Sequence, residues 1–249
     1  MSTIFIAHRG ESLDAPENTL ASVRLAWARN ADAVEIDIHM TADRKIAVIH
    51  DSNTRRTSGK YLKVKEQTLT ELKKLNVGKY NGRTWPEEKI PSLEEVLDTV
   101  PAGRMLFIEI KCGPEIIDEL YSAVNRSRLS PGQVKIIGFN LKTISSAKNI
   151  FTGCEVFWLK NIDKNYFQFW KPGIDEIIST SIKNKLNGLD VKYSKSVDER
   201  FVGFVRKAGL KLYVWTVNDP QVAGELIKLN VDGITSDNQL LLKEKLGII

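Results

Sequence analysis

The sequence predicts an α/β protein of the (β/α)8 TIM-barrel class, with a small inserted subdomain after a hairpin at its second strand. Three observations predict this class. Short β-branched runs alternate with amphipathic helical segments along almost all of the 249 residues, which is the rhythm of a parallel sheet. Eight such pairs can be counted, the number that closes a barrel, with an open doubly wound sheet as the alternative. Within AVEIDIHMTADRKIAVIHD, two strand-like runs are separated only by TADRK. That is too short for a parallel crossover, so these runs must pair as an antiparallel hairpin.

The elements follow in order. Strands are expected at Ile4–Ala7, Ala33–His39, Met105–Lys111, Val134–Phe139, Glu155–Leu159, Gly188–Val191, Lys211–Val217 and Gly233–Ser236. Each is rich in Val, Ile, Phe or Tyr and bounded by turn residues. Helices are expected at Asn18–Arg29, Leu93–Val100, Pro114–Arg126, Leu141–Phe151, Ile174–Leu186, Val197–Lys207, Pro220–Leu229 and Gln239–Leu246. In the first of these, TLASVRLAWA spaces apolar residues three and four apart, so one face is buried. Residues 52–91 are polar, rich in Gly and Lys, and lack a core period. They read as an insertion above the barrel, within one domain spanning 1–249.

Composition narrows the function classes. A hydrophobic share of 42% with 27% mixed charge describes a globular chain, not a disordered one. The net charge of +5 favours anionic partners. Basic residues are scattered, without tracts interleaved with aromatics, so no nucleic acid is expected. Cys112 and Cys154 have no CxxC spacing and read as two buried free thiols. No apolar stretch is long enough to cross a bilayer and no signal peptide precedes the first strand, so the expectation is a cytoplasmic protein without membrane insertion. The oligomeric state is left open.

The unusual polar residues fall at strand ends. His8 and Arg9 close the first strand, Glu35 and Asp37 share one face of the second, and Glu109 and Lys111 share one face of the third. The hairpin returns His50 to the neighbourhood of Ile36 and Asp37. In a parallel barrel the carboxyl ends of the strands face one mouth, where the sites of this fold lie. Alternating acids could mark a solvated strand face, but barrel strands are covered on both sides, and acids there are costly unless paired or metal-bound. Three acids without an equal number of facing cations suit one divalent cation, Mg2+ or Ca2+. Arg9 and Lys111 suit a phosphate, and two histidines beside them form an acid/base pair. His39 is assigned a structural or supporting role.

HRG, PENTL, VEIDIHMTAD, VIHD, IPSLEEVL, FIEIK and VWTVND…VDGITSD occur in this order over the whole chain. The ordered set resembles the glycerophosphodiester phosphodiesterase family. The resemblance implies a TIM barrel with a small insertion, a divalent metal on Glu35, Asp37 and Glu109, and catalytic histidines at His8 and His50. It further implies phosphate contacts from Arg9 and Lys111, a supporting polar shell from Glu17 and Asn18, and a pocket wall from Trp215. The sequence departs from the family pattern at Thr54 and Arg55 before Arg56, at Gly138 where serine is common, and at Gln239 where proline is frequent. None of these touches the acids or histidines, so they bear on substrate preference.

The implied reaction cleaves a small-molecule glycerophosphodiester into sn-glycerol 3-phosphate and an alcohol, with either histidine as acid and the other as base. A lysophospholipase D-like activity at the same site is the alternative within enzymes. A non-catalytic phosphate-binding barrel is the alternative from another class.

Overall fold

The eight expected strands close on themselves in a computed structural model that describes residues 3–80, 82–85, 87–164, 170–171 and 173–248. Positions 81 and 86 of the expected insertion, and residues 1, 2 and 249, lie outside the described residues. The strands are β1 (Ile4–Ala7), β2 (Ala33–Met40), β3 (Ile46–Val48), β4 (Met105–Ile110), β5 (Val134–Gly138), β6 (Glu155–Asn161), β7 (Gly188–Lys192), β8 (Lys211–Trp215) and β9 (Gly233–Ser236). Their order is β1-β9-β8-β7-β6-β5-β4-β2-β3, and the further pairing of β1 with β2 completes the ring. All ring neighbours are parallel, and within this sheet β3 runs antiparallel, on β2. The open-sheet alternative is thereby excluded. Two short antiparallel pairs, Lys79–Tyr80 with Arg83–Thr84 and Asp163–Lys164 with Trp170–Lys171, lie outside this sheet.

Among the described residues, the helices that pack around the ring are α1 (Leu20–Ala28), α2 (Leu93–Leu97), α3 (Ile117–Arg126), α4 (Leu141–Ile150), α5 (Ile174–Lys183), α6 (Glu199–Lys207), α7 (Pro220–Lys228) and α8 (Gln239–Lys245). All are shorter than the apolar periodicity suggested: six end one to three residues early, and α1, α3 and α6 start late. Thr19 and Asp198 each accept a hydrogen bond from a backbone amide of the first turn, so α1 and α6 start one residue after them. The helix expected from Pro114 opens as a 3-10 turn at Pro114–Ile116 before α3.

Apolar side chains fill the space between helices and strands in two large clusters, one around β2, β4 and β5 and one around β7 and β8. The lumen is plugged by Phe107, Phe157 and Tyr213, whose rings lie 4.9 to 6.4 Å apart. Gly233 makes room for this plug, since a Cβ there would sit 2.6 Å from the Tyr213 ring. A packed lumen leaves only the strand ends for chemistry. The segment between β3 and α2 contributes short turns at Arg55–Ser58, Val64–Glu66 and Leu69–Leu72. They gather on a cluster of their own, Val64, Leu72, Leu75, Val77 and Ile90, against Ala47 and Ile49 of the hairpin.

Candidate active site

The parallel register of β2 on β4 sets Asp37 opposite Glu109, with Glu35 one step below on the same face. Oxygens of the three carboxylates lie within 4.8 Å of one another. Glu35 and Asp37 are buried, and Glu109 nearly so. Backbone and amide donors from the β1–α1 loop aim two of them. The Arg9 amide donates to Glu35 Oε2 at 2.9 Å. Asn18 grips Asp37 twice: its Nδ2 donates to Oδ2 at 2.7 Å, and its Oδ1 accepts from the Asp37 amide at 3.0 Å. Arg9 and Asn18 both take φ of +56°, a left-handed conformation that non-glycine residues adopt rarely and that concentrates at functional sites. The Arg9 carbonyl accepts the Asn18 amide and so holds the two turns together.

Two cations face these acids. Arg9 Nε lies 3.3 Å from Asp37, while its Nη1 donates to Glu17 at 2.9 Å. Lys111 Nζ sits 2.7 Å from Glu109 and 3.5 Å from Asp37. Burial works against ionisation of Asp37, but Arg9, Lys111 and His50 outweigh it and hold that carboxyl below its usual range. For the other two the balance reverses. Burial, then the charges of Asp37 and Glu109, push Glu35 well above the carboxylate range. Burial and the charge of Asp37 push Glu109 up to about 7. Two of three clustered acids therefore resist ionisation with only these two cations beside them.

The histidines stand on either side. His8, just beyond β1, holds Asp237 through Nδ1 at 2.6 Å. His50, just beyond the hairpin, holds Asp51 through Nδ1 at 2.7 Å. The Ile49 amide bonds the Asp37 carbonyl, which returns His50 to β2 as the hairpin required. With Nδ1 occupied on each ring, Nε2 is the nitrogen left for the cavity that both histidines line. Asp51 is itself gripped by Arg56, which also makes two bonds to Glu17 at 2.6 and 2.8 Å. Burial alone would raise Asp51, yet Arg56 and His50 bring it down to about 2.

A cavity of about 240 Å3 opens above the cluster. His8, Arg9, Glu35, His50, Glu109, Lys111 and Trp215 all line it. Asp37 is gripped beneath, and Glu17 and Asn18 support the wall, so the residues expected from sequence come together. His39 does not join them: its Nε2 donates to the His50 carbonyl at 3.0 Å, and the ring lines a neighbouring cavity. Of the two thiols expected to be buried, Cys154 is, whereas Cys112 is partly exposed at that second cavity. Sequence reasoning missed Asp51, Arg56, Asp237 and Asp190. Asp51 and Asp237 were legible in principle, one beside His50 in VIHD and the other ending TSD at the last strand.

A divalent cation can be tested against this donor set. Among the described residues, Glu35 Oε1 and Asp37 Oδ1 are buried and accept no hydrogen bond, Lys111 Nζ facing Asp37 Oδ1 at 3.5 Å, although buried acceptors are normally satisfied. Three hard carboxylate oxygens, with Glu35 Oε1 and Asp37 Oδ1 orphaned and ionisation opposed at Glu35 and Glu109, are what Mg2+ or Ca2+ would satisfy. The residues present fit that ion.

The comparisons bear on the family and the fold. The family model of the glycerophosphoryl diester phosphodiesterases matches residues 8–241. A glycerophosphodiester phosphodiesterase of Caldanaerobacter subterraneus subsp. tengcongensis is 32% identical over 243 residues, covering 96% of this chain and 95% of that protein. The structure of an Oleispira antarctica phosphodiesterase in complex with the product sn-glycerol-3-phosphate superposes with a TM-score of 0.87 at 26% identity, covering 99% and 97% of the two chains. The glycerophosphodiester phosphodiesterase of Thermotoga maritima superposes with a TM-score of 0.80 at 27% identity, over 98% and 99%. With a family match that spans nearly the whole chain and a relative 32% identical over its length, the chain belongs to the glycerophosphoryl diester phosphodiesterase family.

Proposed function

We propose that this phosphodiesterase hydrolyses glycerophosphodiesters to sn-glycerol 3-phosphate and an alcohol, with His8 and His50 sharing the proton transfers. The observation that carries the reading is the symmetry of the two histidines. Each is fixed through Nδ1 by a carboxylate, and both rings line one cavity above the acid cluster. Glu35, Asp37 and Glu109 would hold the divalent cation. That ion lowers the pKa of a bound hydroxyl and offsets charge developing on phosphate oxygens. Arg9 and Lys111, both lining the cavity, bind and orient the phosphate; a bound phosphate competes with Asp37 and Glu109 for them.

The glycerol 2-hydroxyl oxygen attacks phosphorus, and one histidine takes its proton. The bond from phosphorus to the departing alcohol oxygen breaks, and the other histidine protonates that oxygen. Water then opens the five-membered cyclic phosphate with the two roles exchanged, which restores both rings. Attack within one molecule can supply roughly 7–11 kcal/mol of the barrier. The leaving alcohol is free to vary, whereas the 2-hydroxyl is required.

Turnover of glycerophosphocholine and of its 2-deoxy analogue, measured at saturation with Mg2+ or Ca2+, tests this. The parent compound is expected to be cleaved and the analogue to bind without turning over. Comparable kcat values for the two would rule out the cyclic route in favour of direct attack by water. Full activity in EDTA would remove the cation from the reading.

A further inference from the structure

Asp190 is the acid that the proposed mechanism leaves unused. It sits on β7, which stands opposite β2 in the ring of eight strands. Its side chain is only 2% exposed, and it lines the same cavity as the histidines. No hydrogen bond among the described residues reaches Oδ1. The rest of that side of the cavity is Ile137, Phe139, Leu159 and Trp215, with Thr235 as the other polar residue. An acid buried among such neighbours is destabilising unless something outside the chain completes it.

The reaction proposed above supplies a candidate partner, and this inference rests on that reading. With phosphate and 2-hydroxyl held over Glu35, Asp37 and Glu109, the glycerol half has one polar group left, its terminal hydroxyl. The leaving alcohol varies and must face the open mouth, so the terminal hydroxyl is directed across the lumen toward β7. Below it the lumen is closed by Phe107, Phe157 and Tyr213.

We propose that Asp190 is a substrate-binding residue that hydrogen-bonds the terminal hydroxyl of the glycerol moiety and thereby selects deacylated glycerophosphodiesters over their 1-acyl forms. An acyl ester at that oxygen has no proton to donate, and its chain would have to pass the aromatic plug. Burial, reinforced by the charge of Glu109, raises the Asp190 carboxyl well above its usual range. The carboxyl accepts a hydrogen bond from a hydroxyl in either protonation state, and when protonated it donates as well, which suits a hydroxyl partner.

The test compares two ligands and two variants. One ligand is sn-glycerol 3-phosphate; the other lacks its terminal hydroxyl but keeps the 2-hydroxyl. Affinities are measured by calorimetry, and melting temperatures are recorded alongside. The wild type is expected to bind the truncated compound about 10- to 100-fold more weakly, because Asp190 is then left unpaired. Asp190→Leu should bind both compounds about equally, while melting no lower than the wild type. Asp190→Asn, whose amide also donates and accepts, should keep part of the preference. A full preference in Asp190→Leu would overturn the proposal, as would cleavage of 1-acyl-glycerophosphoethanolamine by the wild type at the rate of the deacylated compound. A merely structural Asp190 would show instead as a lower melting temperature in Asp190→Leu with the ligand preference intact. Failure of the wild type to cleave any glycerophosphodiester would sink the parent reading, and this one with it.

Discussion

The two ends of the barrel treat buried charge in opposite ways. At the floor, where the strands begin, Glu155 takes Lys135 at 2.7 Å and Lys211 at 2.5 Å, two cations to one acid. Burial opposes ionisation of Glu155, but the two lysines outweigh it and lower its pKa. At the mouth, Glu35, Asp37 and Glu109 have Arg9 and Lys111 to share, and Asp190 lines the same cavity. Seven buried side-chain polar atoms lack a hydrogen-bond partner among the described residues. Arg9 Nε, Glu35 Oε1, Asp37 Oδ1 and Asp190 Oδ1 are four of them, and none belongs to Lys135, Glu155 or Lys211. The floor is completed by the protein, and the mouth is left to be completed by ligands. Where a fold leaves its polar atoms unsatisfied therefore locates function more sharply than where it places charge.

The largest expected effects test that division directly. Asp37→Ala or Glu109→Ala should lower kcat by 10³-fold or more, about 4 kcal/mol of transition-state stabilisation. Glu35→Gln should be as inactive but should melt at or above the wild-type temperature in EDTA, because it replaces an acid whose ionisation burial, Asp37 and Glu109 oppose, and keeps an acceptor for the Arg9 amide. At the floor the pattern inverts. Lys135→Ala should keep kcat within a few-fold and lose roughly 1–3 kcal/mol of stability, because it strips a buried partner from Glu155. Paired activity assays and chemical denaturation check both ends. If Glu35→Gln destabilises as much as Lys135→Ala, the two ends do not differ as claimed.

Much of this was legible in the sequence because barrel strands are continuous apolar runs. An acid or histidine at their ends stands out against Ile, Val and Phe. TADRK was too short to be anything but a hairpin, and so placed His50. Asp190 was not singled out, because one acid in GLDVK carries no period-two partner and looks like the start of a loop. Asp237 was overlooked for a different reason: its contact with His8 is made in space, 229 residues apart, whereas Asp51 stands next to His50 in VIHD and was readable there. Helix starts slipped at α1 and α6, where a cap, rather than apolar spacing, decides the boundary.

Intermediate effects separate the groups that transfer protons from those that position them. His8→Ala and His50→Ala should each lower kcat by about 10²–10⁴-fold with little change in substrate binding. Asp237→Asn and Asp51→Asn keep the ring nitrogens in place but weaken their hold, and should lower kcat by about 10- to 100-fold. Steady-state kinetics on the four variants orders them. An aspartate variant as damaged as its histidine would mean that the carboxylate does more than orient the ring.

The smallest effect is a pH dependence at the mouth. Burial opposes ionisation of Asp237, yet its bonds to His8, Asn218 and Ser12 outweigh that and hold its pKa down at about 2. An unfolded aspartate titrates near 3.9. The folded pKa is the lower one, so the ionised group stabilises the fold above about pH 4, and that stabilisation is lost as pH falls toward 2. The Asp237 side chain is 33% exposed, so solvent screening cuts the expected contribution to about 1 kcal/mol. Asp237→Asn should therefore unfold in urea at a lower midpoint than the wild type at pH 5, with the gap narrowing at pH 3. A gap that widens on acidification would reverse the sign and show that Asp237 is held by something other than its charge. A gap unchanged between the two values would make it a neutral hydrogen-bonding group, as Asp190 is proposed to be, and the contrast between anchored and unsatisfied acids within the mouth would disappear.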